Sequence, residues 1–178
     1  LRVRQIARES FSQTRFHNDK NITKEVANKI KEEWAANYFS GNRGDILIVS
    51  ERNDEVAGFL LAIKTETSTV IDLIAVDSQY RKEGCGTEMI NKLAEQKGGD
   101  SKPIQVGTQI ANISSLVFYQ EMGFKMKSAQ YVFHKHLWVI ILIINYNDTN
   151  DKVIIVAEIG NNHEGNFELA MEMINSAY

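Results

Sequence analysis

The stretch Arg81-Lys82-Glu83-Gly84-Cys85-Gly86 sets a cation and two glycines behind an apolar run, Val70-Ile71-Asp72-Leu73-Ile74-Ala75-Val76, and a polar turn, Asp77-Ser78-Gln79-Tyr80. Behind the glycines, Met89, Ile90, Leu93 and Ala94 recur with the spacing of one helical face. The order predicts a strand, a glycine loop and the start of a helix. The first amides of a helix have no intrahelical acceptor and lie at the positive end of its dipole. Glycines let the backbone close on a bulky anion there. The chemistry is therefore the cradling of a phosphate or pyrophosphate. Two phosphate motifs are excluded: the dinucleotide fingerprint needs a third glycine where Met89 stands, and the P-loop needs Gly-Lys-Ser/Thr where this chain has Gly86-Thr87. Taken alone, the loop fits equally well a glycine turn that joins a strand to a helix.

A second segment, Asn112 to Phe124, is informative beside it. Asn112 is a good N-cap. Leu116, Phe118 and Tyr119 spread around a short helix, and Gly123 falls where a left-handed C-terminal cap is expected. Together, R-x-x-G-x-G and the Asn…Tyr…Gly-Phe segment resemble the two signatures of the GNAT superfamily of N-acetyltransferases, in the family's order. The resemblance implies an α/β (α+β) fold: a mixed central sheet flanked by helices, two of its strands splayed apart to admit the pantetheine arm of acetyl-CoA. It implies that backbone N–H groups of Arg81, Lys82, Glu83, Gly84, Cys85, Gly86 and Thr87 hold the CoA pyrophosphate, with charge added by Arg81 and Lys82. It implies that Ile74, Ala75 and Val76 pair with the pantetheine amides as a strand would, and that Asn112 and Tyr119 also contact the cofactor.

Acetyl transfer to an amine needs a held thioester, a neutral amine, a stabilised oxyanion and a proton for the departing thiolate. Tyr119 is the candidate general acid, because a phenol with a pKa near about 10 stays protonated; the alternative is a core aromatic at the helix–strand seam. Asp72 is a candidate base acting through water, or, more simply, an exposed polar position on a half-buried strand. His17, His134 and His136 titrate near neutrality and are either bases, substrate contacts or surface groups. Arg15 is placed to clamp a diphosphate bidentately or to cap a helix.

Helices are expected over residues 2–12 (Val3, Ile6, Ala7 and Phe11 inward), from an N-cap at Thr23 to about Phe39 (Val26, Ile30, Trp34 and Tyr38 inward), over 86–97 and after Asn112. Strands are expected over 46–50, 56–64, 70–76, 104–109 and 124–136, with a turn at Arg52-Asn53-Asp54. The chain of 178 residues, 43% hydrophobic, is long enough for one well-buried domain. A net charge of −3 supplies no basic field for nucleic acid. Cys85 is the single cysteine, which leaves no disulfide and no zinc-type spacing and suits a reducing cytoplasm. No metal is expected, and Cys85 is expected to serve through its backbone. No signal peptide opens the chain, and Leu1 in place of Met suggests an N-terminus that is not native. Leu137 to Ile144 is apolar but eight residues long, against about 20 for a membrane helix.

Three further stretches narrow the resemblance: Ala7 to Phe11 with Arg15-Phe16-His17-Asn18-Asp19, Glu33-Trp34 with Asn37, and Val106-Gly107-Thr108-Gln109 with Asn112. They look like enzymes that acetylate dTDP-4-amino-4,6-dideoxygalactose, as does Tyr131 to His136. This implies a nucleotide-linked amino sugar as acceptor, contacted by Arg15, His17, Thr108 and His134, in surface polysaccharide biosynthesis. After a polar linker, Val153 to Gly165 and the helical pattern of 166–178 resemble the opening of the sialic-acid synthases, with Glu158 and His163 at matching positions. A barrel needs eight such units in roughly 200 residues or more, so one unit is a truncated fusion or a read-through into a neighbouring frame. The expected organisation is an acetyltransferase domain at 1–137, an apolar strand and linker at 138–152, and a truncated synthase-like start at 153–178. The expected protein is a cytoplasmic acetyl-CoA-dependent transferase of a small amine, with no nucleic-acid or membrane partner and a homodimer left open. Acetylation of another small amine or a peptide, a non-catalytic CoA-binding module, and a synthase fragment are the alternatives.

Overall fold

The computed structural model describes residues 1–98 and 101–132. The chain divides into Leu1–Lys127 and Ser128–Tyr178, and the fold is that of the first unit. Its elements are α1 (Arg2–Ser10), α2 (Lys24–Phe39), β1 (Ile46–Arg52), β2 (Glu55–Lys64), β3 (Thr69–Val76), a 3-10 turn (Ser78–Tyr80), α3 (Cys85–Gln96), β4 (Ile104–Val106) and α4 (Ile113–Glu121). The sheet runs β1-β2-β3-β4, antiparallel except for the parallel pair β3–β4. The mixed sheet flanked by helices is the architecture expected. The β1–β2 hairpin turns on Asn53 and Asp54 at φ +52° and +63°, values that Asn and Asp tolerate in a primed turn.

β2 is the most buried strand of this unit. Residues from Ala57 to Ala62 are all buried, which is why the strand reads as a continuous apolar run without alternation. Phe59 and Leu61 join Leu73 and Ala75 of β3 in a core completed by Val3, Ile6 and Ala7 of α1 and Ala35 of α2. Leu60 and Ala62 join Ile48, Ile71, Met89, Ile90, Leu93 and Tyr119 in a second core under α3 and α4. Two layers of helices therefore sandwich the sheet.

Several expectations shift. Thr23 does cap α2, accepting from the Val26 amide at 3.3 Å, but the inward stripe is Ala27, Lys31 and Ala35. Val26 is exposed, whereas Trp34 and Tyr38 lie half-buried at the flank. Small alanines let the helix approach the sheet, and the two large aromatics then reach past the contact. Ala94 is exposed. β4 stops at Val106 rather than Gln109, and residues 124–132 form no strand: no described strand lies alongside to complete a ladder. The rest of the expected 124–136 strand, and the linker and synthase-like tail, lie outside the described residues.

The feature that shapes the site is a bulge in β3. Leu61 pairs with Leu73 but Ala62 pairs with Ile71, so Asp72 is the one extra residue. Bulges bend a strand and sharpen its twist. The parallel ladder to β4 ends at the rung just before it, Ile71 opposite Val106. Asp72 is held by α2 and the turn after it. It accepts hydrogen bonds from Trp34 Nε1 at 2.7 Å, Tyr38 Oη at 2.8 Å, Arg43 Nε at 2.6 Å and Arg43 Nη2 at 2.8 Å. Replacing Asp72 by Asn keeps the shape but leaves Arg43 without its counter-charge; a loss of about 2–4 kcal/mol is expected. A lowered urea midpoint at unchanged slope checks it, and an unchanged midpoint contradicts it.

Candidate active site

Past Ile71, β3 keeps β2 on one side and has no described strand on the other. Such an edge offers a row of N–H and C=O groups to any extended polar chain laid along it. Ile74, Ala75 and Val76 lie on this stretch, as the resemblance requires. The chain then turns through Asp77, which accepts from the Gln79 amide at 3.1 Å and from Arg2 Nη2 at 2.6 Å, tying the turn to α1.

The glycine loop follows. Gly84 takes φ +83° as the N-cap of α3 and supplies no capping side chain. The amides of Cys85, Gly86 and Thr87, the first of the helix, are thus left for a ligand. Gly86 is needed for space: a Cβ there would stand 3.1 Å from Phe118 Cζ, so α3 and α4 meet closely at this point. Arg52 braces the loop, donating to the Glu83 carbonyl at 3.2 Å and to Glu88 at 2.7 Å. Arg81 folds back onto the strand end, its Nε 3.2 Å from the Val76 carbonyl. Lys82 sits at φ +69°. The Cys85 thiol is buried, 3.8 Å from the Tyr80 carbonyl, so its backbone is what it offers. The residues fit a pyrophosphate: a helix start with no capping side chain, a glycine at positive φ at its N-cap, a second glycine close against Phe118, and the cations Arg81 and Lys82 in the loop.

α4 closes the other side. Asn112 caps it, its Oδ1 accepting from the Ser115 amide at 3.3 Å and from Ser114 Oγ at 3.0 Å. Gly123 takes φ +85° at its end, as expected. Tyr119 is buried in the same core as Met89, with Ile74, Val76 and Phe118 packed against it. Its ring meets Phe118 and Phe124 at centroid distances of 5.4 and 5.5 Å. Burial pushes its phenol up to about 12, so it remains a proton donor at any physiological pH.

The α1–α2 face holds a second group of polar side chains. Asp72 is not the exposed strand position expected: its side chain is 10% exposed. Burial opposes its charge, but the Arg43 guanidinium and the hydrogen bonds from Trp34 and Tyr38 prevail and hold it below the usual carboxylate range. A carboxylate that accepts four hydrogen bonds is an anchor for the elements around it. The ring nitrogens of His17 are both engaged, Nδ1 with Thr14 Oγ1 at 2.7 Å and Nε2 with Asn28 Oδ1 at 2.8 Å, so His17 ties the α1–α2 loop to α2. Arg15 stacks on Phe16. Thr108 is half-buried just after β4. His134 and His136 lie outside the described residues. Sequence reading missed Lys31, which is 7% exposed and is pushed down to about 8 by burial in the first place. Its signal was present: Lys31 lies midway between Ala27 and Ala35, one residue off the stripe of large apolar residues. Among the described residues no group of three or more His, Cys, Asp or Glu is arranged to hold a metal, and no helix is long and apolar enough to cross a membrane.

A mixed sheet parted between two parallel strands, with an uncapped helix start beyond the parting, is the architecture of the GNAT acetyltransferases. The chain belongs to that family: the acetyltransferase (GNAT) domain matches residues 8–140. It is 29% identical over 131 residues to the spore coat polysaccharide biosynthesis protein SpsD of Bacillus subtilis, covering 73% of this chain and 45% of that protein. It is 38% identical over 55 residues to N-alpha-acetyltransferase 30 of Homo sapiens, covering 30% of this chain and 15% of that one. The chain thus spans less than half the length of the curated relatives it matches. A putative acetyl transferase from Pyrococcus furiosus has the same fold, with a TM-score of 0.58 at 23% identity over 76% of this chain and 92% of that one.

Two outcomes follow. Gly86→Val drives a side chain into Phe118; overpacking of this kind costs about 1–3 kcal/mol, and acetyl-CoA affinity measured by calorimetry should fall about tenfold or more. Unchanged affinity would separate the α3–α4 contact from ligand binding. Lys31→Met removes an ammonium that burial disfavours. The folded pKa lies below the usual value for lysine, so the unfolded chain binds more protons between about 8 and 10.5 and stability rises with pH across that window. The variant should therefore melt higher than the parent at pH 7, with the gain shrinking by pH 10.

Proposed function

We propose that the chain is an acetyl-CoA-dependent N-acetyltransferase whose acceptor is the amine of a nucleotide-linked 4-amino-4,6-dideoxy sugar, in the biosynthesis of a surface polysaccharide. The observation that carries the donor half is the parting of β3 from β4 at Ile71 and Val106, with the bare start of α3 beyond it. Acetyl-CoA supplies the activated acetyl group. The amides of Cys85, Gly86 and Thr87 hold its pyrophosphate, with Arg81 and Lys82 adding charge. The open edge of β3 from Ile74 to Val76 orients the pantetheine arm, and the Asn112 side chain adds a contact. Tyr119 holds a proton at its hydroxyl for the departing thiolate; apolar packing by Phe118 and Phe124 keeps that proton in place.

The acceptor half rests on sequence: the Arg15–Asp19 and Thr108-Gln109 stretches, and the similarity to a relative named for polysaccharide biosynthesis. The resemblance of residues 153–178 to a nonulosonic-acid synthase supports the same setting, since such synthases consume acetylated amino sugars. A peptide α-amine is the second reading, carried by the 55-residue similarity to N-alpha-acetyltransferase 30. Thiol release from acetyl-CoA, followed with dTDP- and UDP-linked 4-amino sugars, free amino acids and peptides with free N-termini, decides between them. Turnover with the nucleotide sugars and none with peptides is expected, and the reverse overturns the reading. Tyr119→Phe should lower kcat at least about tenfold at unchanged acetyl-CoA affinity; unchanged kcat removes Tyr119 from proton transfer.

A further inference from the structure

On the α1–α2 face three cations gather around one carboxylate. Arg43 is paired with Asp72. Lys31 and Arg15 have no carboxylate within ion-pair distance among the described residues. All three lie on one aromatic floor. Lys31 Nζ is 4.1 Å from the Trp34 ring centroid, 5.3 Å from Phe11 and 5.8 Å from Phe16. Arg15 stands 4.9 Å over Phe16 and Arg43 stands 4.6 Å over Trp34. Phe16 is thus shared by Arg15 and Lys31, and Trp34 by Lys31 and Arg43. Lys31 is acted on by the carboxylate of Asp72 and by two like charges, Arg15 and Arg43.

Ring contacts do not repay burying an ammonium whose nearby carboxylate, Asp72, is already paired with Arg43. Lys31 is 7% exposed and so more than nine-tenths buried, and its Nζ makes no hydrogen bond among the described residues. It is not a sealed orphan either, since the enclosed, unpartnered side-chain nitrogen is Arg4 Nε; the ammonium keeps an opening. Asp72, at the hub of the cluster, is the residue at which β3 leaves β4. The cluster therefore borders the parting from the side opposite α3 and α4.

We infer that Arg15 and Lys31, set on the Phe16–Trp34 floor, form the binding site for a phosphate or diphosphate group of the acceptor. The site is separate from the pyrophosphate cradle at the start of α3. Assigning the anion to the acceptor rests on the nucleotide-sugar reading above; the anion site itself rests on the cluster. Arg15 supplies a planar, paired donor set and Lys31 a point charge.

The test uses the full chain saturated with CoA, so that the α3 cradle is occupied, and titrates dTDP and uncharged thymidine by calorimetry. dTDP should bind, and thymidine about tenfold more weakly or not at all. Lys31→Met and Arg15→Gln should each weaken dTDP about tenfold at unchanged CoA affinity, with Lys31→Arg retaining most of it. Equal binding of dTDP and thymidine, or unchanged dTDP affinity in both variants, overturns the inference. Acetylation of nucleotide amino sugars at unchanged kcat/KM in both variants overturns it while leaving the acceptor reading standing. Charge-dependent dTDP binding without acetylation of any such sugar keeps the anion site and removes the acceptor reading.

Discussion

The Asp72 carboxylate ties the bulge of β3 to α2 and to the turn that follows it. It sits at the single residue β3 has in excess over β2, and it draws that bulge toward Trp34 and Tyr38 of α2 and Arg43 of the following turn. On the far side of the same residue the ladder to β4 has ended. A continuous ladder would seal β3 between two neighbours and leave no polar edge. The bulge falls one residue past the last rung to β4, and the Asp72 anchor holds it to α2 and the turn after it. Removing one partner of such a pair leaves an uncompensated charge, so Asp72 and Arg43 hold each other in place at the bulge.

Once the edge is open, the rest of the site is assembled from backbone. β3 contributes peptide groups and α3 its first amides, while Gly84 supplies the left-handed turn and Gly86 the close approach to Phe118. Side chains mainly brace: Arg2 on Asp77, Arg52 on Glu83 and Glu88. Backbone groups used in this way are insensitive to most substitutions around them. The acceptor site proposed on the α1–α2 face is built instead from side chains such as Arg15 and Lys31, where substitutions would retune it.

What could be read from the sequence divides along the same line. The glycine loop, the Asn112 cap and the left-handed Gly123 were legible because each depends on residues within a few positions. Strand β2 was legible because burial on both faces leaves an unbroken apolar run. The role of Asp72 was not, since its partners lie 29, 34 and 38 residues away and no local pattern links them. The facing of α2 was misread by one residue, because large apolar side chains outweigh alanines in any periodicity count, although close packing selects the alanines. Lys31 went unnoticed for the same reason: a lysine on a helix reads as solvated until its neighbours are known.

The claim at the centre of this account is that β3 past Ile71 is an open edge which the pantetheine arm of acetyl-CoA completes. Residue-resolved amide hydrogen exchange over Asp72 to Val76 tests it most directly. In the free protein, the amides of this stretch that point away from β2 should exchange rapidly and those bonded to β2 slowly. Saturation with acetyl-CoA should protect the first set and leave the second unchanged. Exchange that is already slow in the free protein, or that acetyl-CoA leaves unaltered, would contradict the account.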